Sequence, residues 1–251
     1  YALKSSVIVS GHKTALNIND NGLTINGNGY SCLKAINSLV DYDFINCHYN
    51  NILIDGVCFE CDINYEMRRH CHVFYGVYVS DVNISNCTVR SWDGWGFCFD
   101  GDGDNENIYV TNNKIINCCK TTGIWVGQLT NNVQICNNIV IGNKDDDTID
   151  DRILVAYHNR SGNDKVSQNI IVSNNICKYT EAAGIKVAGN NVLVDGNLIS
   201  DCRIGIMTLR EIMPPGYFDQ YYIDSGKNIT ISNNTIINCY KGSTTHQEGI
   251  T

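Results

Sequence analysis

Short stretches of alternating apolar and polar residues recur along the chain, and asparagines frame each of them. The phrase Asn-apolar-x-apolar-x-Asn-Asn begins at Asn107, Asn132, Asn169, Asn191 and Asn228, with Gly196 in place of one asparagine in the fourth copy. Weaker copies begin at Asn51 and Asp81, and residues 22–28 contain an opening copy. Alternation with a period of two is typical of β-strands and not of helices.

The copies are spaced as the turns of a solenoid would be. Their starts at 51, 81, 107, 132, 169, 191 and 228 are 30, 26, 25, 37, 22 and 37 residues apart. A base period in the low twenties with insertions indicates stacked repeats that carry loops of variable length. We expect equivalent turns at the asparagines that end the copies, with side-chain amides bonding along the stack. These are Asn113, Asn138, Asn175, Asn197 and Asn234.

A second strand phrase follows most copies. It reads Gly76-Val-Tyr-Val, Gly96-Phe-Cys-Phe, Gly123-Ile-Trp-Val, Gly184-Ile-Lys-Val and Gly205-Ile-Met-Thr, with Arg152-Ile-Leu-Val in the same slot. Each rung therefore has at least two strands. We predict an all-β, single-stranded parallel β-helix of about 22–26 residues per rung with loop insertions. It forms one domain over residues 1–251, and we expect these residues to be a fragment of a longer chain.

One face of this helix carries residues suited to binding sugars. Alternation predicts that the apolar pairs of the second phrase, from Val77/Val79 to Ile206/Thr208, point inward. The outward positions and their edge carry the substrate-binding candidates, which are Tyr78, Trp95, Trp125, Gln128, Arg160, Lys186, Arg210 and Glu211. Aromatic rings beside polar groups on an elongated face suit a polysaccharide.

An acidic cluster, Asp93 to Glu106, surrounds one of these strands. Asp93, Asp100 and Asp102 can supply the carboxylate pair of a glycosidase, a mechanism that requires no cofactor. Asp100, Asp102 and Asp104 can instead bind calcium, since alternate carboxylates offer hard oxygen ligands. A solvated turn is the third interpretation, because Asp and Gly are common turn residues.

Histidines add a second set of candidates. His158 follows an acidic insertion and fits a general base or a sugar ligand, although surface turns also carry histidine. His70 and His72 are one residue apart and could hold a metal. The pattern favours an exposed basic loop there, because no further ligand is evident in the sequence.

Composition limits the remaining functions. The formal net charge of −8 argues against a nucleic-acid partner. The sequence contains no run of about 18 apolar residues, so we expect no membrane insertion. The 13 cysteines are odd in number and lack paired zinc-site spacing. We expect most of them to be small buried thiols, with disulfides and metal ligation as the alternatives.

These repeats resemble the right-handed parallel β-helices of the pectate-lyase-like superfamily. The resemblance implies action on a surface or cell-wall polysaccharide, by a glycosidase of the phage tailspike type or by a lyase or uronan epimerase. A non-catalytic glycan-binding fibre is the third class. The resemblance to tailspikes implies that the protein forms a homotrimer and is located in a virion tail or outside the cell. Trp95-Gly96-Phe97 is similar to the start of the epimerase motif Tyr-Gly-Phe-Asp-Pro-His, but Cys98-Phe99 replaces Asp-Pro and no histidine follows.

Overall fold

The chain coils into a right-handed parallel β-helix with three faces. The computed structural model describes residues 7–10, 14–28, 32–36, 43–61, 72–92, 94–99, 104–116, 121–127, 130–144, 151–155, 167–208 and 227–239. Among these residues no helix is long and apolar enough to cross a membrane. The all-β solenoid predicted from the repeat is confirmed.

Face 1 is built from the asparagine-framed phrases. Its eight strands pair in parallel, each with the next copy along the chain. They are β3 (Thr24–Asn26), β6 (Ile52–Asp55), β9 (Ser80–Ser85), β12 (Asn105–Thr111), β15 (Thr130–Cys136), β18 (Gln168–Ser173), β20 (Asn190–Asp195) and β22 (Ile229–Ser232).

Face 2 follows face 1 after a short turn. Its strands are β1 (Val7–Ser10), β4 (Cys32–Ile36), β7 (Cys58–Cys61), β10 (Thr88–Arg90), β13 (Lys114–Ile116), β16 (Ile139–Ile141) and β23 (Thr235–Ile237). Two long strands, β19 (Ile176–Val187) and β21 (Leu198–Thr208), start on face 2 and continue around the corner onto face 3.

Face 3 carries the second strand phrase of the sequence. Its remaining strands are β2 (Thr14–Ile18), β5 (Asp43–Cys47), β8 (His72–Gly76), β11 (Trp95–Phe99), β14 (Ile124–Val126) and β17 (Ile153–Val155). Because β19 and β21 join the two faces, faces 2 and 3 form one 15-stranded sheet.

The core consists of columns of apolar side chains that run along the helix axis. Strand pairing is in register from rung to rung, so that each inward residue lies above its counterpart. One column on face 1 runs through Ile25, Ile54, Ile84, Val110, Ile135, Val172 and Val194, and all of these are buried. β-Branched residues pack well in such columns, since their shape suits a pleated surface.

A ladder of buried asparagines occupies the corner between faces 1 and 2. Asn138 shows the pattern: its Oδ1 accepts from the backbone N–H of Asn113 at 3.0 Å, and its Nδ2 donates to the oxygen of Val110 at 2.8 Å and to Oδ1 of Asn175 at 3.0 Å. The same contacts recur at the ladder positions Asn113, Asn175 and Asn197. The amide ladder predicted from the sequence is confirmed.

A second asparagine ladder runs near the starts of several face 1 strands, at the surface. Asn107, Asn132 and Asn169 have φ near 57°, and the side-chain amide of each later residue donates to Oδ1 of the earlier one at 3.0–3.2 Å. Asparagine tolerates the left-handed region better than other residues with a Cβ atom. These asparagines therefore do two things: they adopt the left-handed backbone conformation of a turn, and their side chains link neighbouring rungs.

Cysteines serve mainly as small core residues. None of the nine cysteines with described side chains forms a disulfide, and five of these are buried, namely Cys47, Cys87, Cys98, Cys177 and Cys202. Burial raises the thiol pKa of Cys87 and Cys202 to about 12, because the thiolate would lose its hydration. These two thiols are therefore protonated and unreactive at neutral pH.

Two details of the sequence interpretation are wrong. The phrase from Gly76 to Val79 is not the face 3 strand of its rung, because β8 occupies residues 72–76 and Tyr78 lies in the turn beyond it with φ 57°. A second detail concerns Gly76, which was expected to open the strand phrase but is the last residue of β8. The alternation correctly predicted that Val77 and Val79 are buried, but it did not show that β8 ends at Gly76.

We predict that Asn138→Ala lowers the free energy of unfolding by about 3 kcal/mol, because buried donors and acceptors lose their partners on both neighbouring rungs. Equilibrium urea unfolding measures the change. The control is Gln134→Ala, an exposed amide in the same rung, for which we expect about 0.5 kcal/mol or less. Equal losses in the two variants would show that the ladder does not hold the stack together.

Candidate functional site

Residues at one register position of face 3 form a row across successive rungs. The strand register aligns Asn46, Tyr75, Cys98, Trp125, Leu154, Lys186 and Met207, of which Cys98 and Leu154 are buried. We call this row, together with the residues that project beside it from the strand starts, the face 3 ladder. It gathers side chains from distant parts of the sequence onto one surface.

Strands β5, β8 and β11 each place a second residue on this surface. The burial patterns of β5 and β8 show two consecutive buried residues between half-buried ones, so the alternation skips one position. Asp43 and His72 therefore project beside Asn46 and Tyr75. Trp95 does the same, because its ring lies 4.6 Å from the ring of Trp125.

Asp43 and His72 form a hydrogen-bonded pair across adjacent rungs. Nδ1 of His72 lies 2.7 Å from Oδ1 of Asp43, and the same oxygen accepts from the His72 backbone N–H at 3.1 Å. A carboxylate only accepts hydrogen bonds, so Nδ1 carries the proton and Nε2 is the basic nitrogen. The two side chains are 12% and 19% exposed, so the pair is sheltered but reachable.

Aromatic rings continue the surface from this pair. The His72 ring lies 4.7 Å from that of Tyr75 and 6.2 Å from that of Trp95, and Trp95 packs on Trp125. Both tryptophans are half-buried. Rings arranged in this way offer an apolar surface on which sugar rings can stack.

A charged pair lies farther along the ladder. Nζ of Lys186 is 3.7 Å from Oδ2 of Asp151, and Oδ1 of Asp151 accepts from the backbone N–H of Ala183 at 2.9 Å. From Asp43 to Lys186 the ladder crosses five strand spacings, roughly 24 Å. The surface therefore has the length required for an extended ligand.

The glycine of the Trp95-Gly96-Phe97 motif has a structural cause. A Cβ atom at Gly96 would collide with the backbone oxygen of Gly123 on the next rung. The absence of a side chain lets the strands approach at the point where Trp95 departs from alternation. The match between Gly96 and the glycine of the epimerase motif is therefore explained by strand packing.

The structure places some of the sequence-predicted residues and leaves others undescribed. Trp95, Trp125 and Lys186 lie on the face 3 ladder, whereas Tyr78 does not: it lies in a turn, 61% exposed, and Tyr75 takes its place. Asp104 is exposed before β12. The other candidates lie outside the described residues: Asp93, Asp100, Asp102, Gln128, His158, Arg160, Arg210 and Glu211.

Sequence reasoning missed the Asp43–His72 pair. His72 was expected in an exposed basic loop, but it lies on β8, half-buried and bonded to a carboxylate. His70 of the same motif lies outside the described residues. The available signal was the spacing of 29 residues between Asp43 and His72, which is close to the 30 residues between the face 1 copies at 51 and 81.

Comparisons with known proteins agree on architecture and differ strongly in sequence. No protein-family model matches the chain, and no curated protein matches it significantly. Similar solved structures include the A-modules of two mannuronan C-5 epimerases from Azotobacter vinelandii, AlgE4 and AlgE6. AlgE4 is 12% identical with a TM-score of 0.43, covering 97% of this chain and 88% of that chain. AlgE6 is 13% identical with a TM-score of 0.45, covering 98% of this chain and 86% of that chain.

A hyperthermoactive exopolygalacturonase from Thermotoga maritima is also similar. It is 11% identical with a TM-score of 0.31, covering 78% of this chain and 55% of that chain. Likeness at this level assigns neither substrate nor reaction. The function therefore has to be argued from the residues of the face 3 ladder.

We predict that Trp125→Ala and Trp95→Ala each weaken binding of an oligosaccharide ligand about five- to tenfold, because one stacking contact contributes about 1 kcal/mol. Isothermal titration calorimetry with a glycan that the wild type binds measures this change. Tyr109→Ala, a half-buried aromatic residue on face 1, is the matched control and should bind normally. Equal weakening in the control would place the ligand elsewhere.

Proposed function

We propose that this chain binds an extended polysaccharide along the face 3 ladder and acts on it by proton transfer through His72. The observation that supports this proposal is the Asp43–His72 hydrogen bond, which lies on the same surface as the rings of Trp95 and Trp125. The rings bind and align the sugar chain. His72, at the end of this row of rings, then contacts one sugar unit of the bound polysaccharide.

The pair is built for general base catalysis. Asp43 holds His72 in the tautomer with Nε2 unprotonated, and its negative charge stabilises the imidazolium that forms when Nε2 takes a proton. The proton to be removed is the carbon-bound proton next to a sugar carboxylate, which becomes acidic enough once a proton or a cation neutralises that carboxylate. Elimination then forms a C=C bond and breaks the glycosidic C–O bond, the departing oxygen takes a proton from the imidazolium or from water, and the product has an unsaturated end.

Asp43 and Asp151, two carboxylates of the face 3 ladder, do not form a glycosidase pair. Asp43 and Asp151 are four strand spacings apart on the ladder, roughly 19 Å. Paired carboxylates in glycosidases lie about 5–9.5 Å apart. Proton transfer by His72 therefore has more support in the described part of the chain than hydrolysis by these two acids.

The substrate we propose is a mixed polysaccharide that contains uronate units. On the described ladder Lys186 compensates one of the two carboxylates, Asp43 and Asp151, and neutral His72 adds no charge, so a single negative charge remains among these groups although the chain has a net charge of −8. Salt screens the long-range repulsion of an anionic chain. We propose that the activity takes place outside the cytoplasm, on a surface or cell-wall glycan.

Hydrolysis by the acidic cluster is the second candidate. Asp93 and Asp100 directly flank the segment of Gly94 and β11, and β11 provides Trp95 at the centre of the ladder. This position next to β11 in the sequence supports the candidate. The cluster remains a prediction, as does calcium binding by Asp100, Asp102 and Asp104.

We expect wild-type protein to release products with an unsaturated end from one member of a panel of neutral and acidic polysaccharides. Ultraviolet absorbance and mass spectrometry, with and without calcium, detect them. His72→Gln should lower turnover roughly 100- to 10,000-fold with little change in glycan affinity. Asp43→Asn should also lower turnover, because a neutral amide stabilises the imidazolium less.

His48→Gln, an exposed histidine in the turn after β5, is the matched control and should keep full activity. Products that have gained water, and that are lost in Asp100→Asn or Asp102→Asn but retained in His72→Gln, would replace the proposal with the glycosidase. Specific binding without any product would indicate a glycan-binding fibre.

A further inference from the structure

Three potential metal ligands meet on face 2, away from the ladder on face 3. Cys32 on β4 and Cys58 on β7 are directly in register, and Glu60 lies two residues beyond Cys58 on the same side of the strand. Phe59 between them is buried in the core, whereas all three ligands are half-buried. The group is therefore held on the outer surface of two adjacent rungs.

The ligand atoms are close enough to share one ion. The two Sγ atoms are 3.1 Å apart, Sγ of Cys32 is 3.9 Å from Oε2 of Glu60, and all three ligand atoms lie within 4.8 Å of one another. Zinc bonds of about 2.3 Å to sulfur and about 2.0–2.2 Å to oxygen span such separations after small rotamer changes. Thiolates and one carboxylate are ligands that zinc accepts.

A disulfide between these two cysteines is the alternative to a shared metal ion. Neighbouring parallel strands lie about 4.7–4.9 Å apart, and in-register Cβ atoms point the same way at a similar separation. A relaxed disulfide needs its Cβ atoms about 3.5–4.5 Å apart. A shared metal ion needs no such approach, because the two S–metal bonds bridge the gap.

We propose that Cys32, Cys58 and Glu60 form a binding site for a divalent ion of the zinc class, with the fourth coordination position open to water. Binding displaces one proton from each thiol to solvent, and the 2+ ion compensates most of the charge of two thiolates and one carboxylate. The ion then cross-links the rungs of β4 and β7. This site is independent of the function proposed for face 3.

Cobalt(II) is the probe that tests the site. Reduced, metal-free protein titrated with Co²⁺ should show a thiolate-to-cobalt charge-transfer band and visible d–d bands that saturate at one ion per chain, and Zn²⁺ should bleach them. Cys32→Ser and Cys58→Ser should each abolish the charge-transfer complex, and Glu60→Gln should weaken binding. Zn²⁺ should raise the melting temperature of the wild type but not of Cys32→Ser.

Cys136→Ser is the matched control, since Cys136 is a half-buried free thiol on face 1. It should bind cobalt as the wild type does. Far-ultraviolet circular dichroism checks that each variant retains its β-structure, and Glu60→Gln tests the site without altering a cysteine. The proposal is overturned by a complex that survives either cysteine substitution, by the absence of any complex, or by a Cys32–Cys58 disulfide that forms readily without metal uptake.

Discussion

The buried asparagine ladder between faces 1 and 2 is the interaction on which the rest of the structure depends. Each amide oxygen accepts from the backbone N–H of the preceding rung's asparagine, and each amide nitrogen donates to the amide oxygen of the following rung, so these rungs cannot shift without leaving buried polar groups unpaired. Unpaired buried groups cost about 1–3 kcal/mol each. The ladder therefore fixes the register of the rungs from Asn113 to Asn234, and parallel strand pairing continues this register into the earlier rungs, where Cys87 and Val57 occupy the same corner.

Fixed register has two consequences. Inside, it aligns apolar residues in columns, so that Ile, Val and Phe side chains pack without large gaps. Outside, it aligns residues that are 22–37 positions apart in sequence, and this alignment brings Asp43 to His72 and Cys32 to Cys58. Insertions of variable length before or after the face 3 strands do not shift the asparagine ladder, because two residues separate the face 1 strand from the face 2 strand at each corner from β6–β7 to β22–β23.

Much of the fold could be predicted because the repeat records it locally. Asparagines that need the left-handed region or a buried amide partner occur at fixed offsets, and alternation separates inward from outward residues within a strand. The ladder from Asn113 to Asn234 and the outward positions of Trp125 and Lys186 were predicted in this way. Glycine alone was a poorer guide, since Gly76 ends a strand whereas Gly96 lies inside one.

The candidate site was less predictable, for two physical reasons. Strands β5 and β8 break alternation with consecutive buried residues, which turns Asp43 and His72 outward where a period of two would not place them. Contacts across rungs also depend on exact loop lengths, which decide which residues become neighbours. A histidine interpreted as part of a basic loop thus became the centre of the proposed site.

A crystal structure of the protein with a bound oligosaccharide of several sugar units tests the central claim most directly. Our account predicts a sugar chain lying along the helix axis on face 3, stacked on Trp125 and Trp95, with one ring within hydrogen-bonding distance of His72 Nε2. A sugar chain bound on face 1 or face 2, or one that crosses face 3 without contacting these side chains, would contradict it.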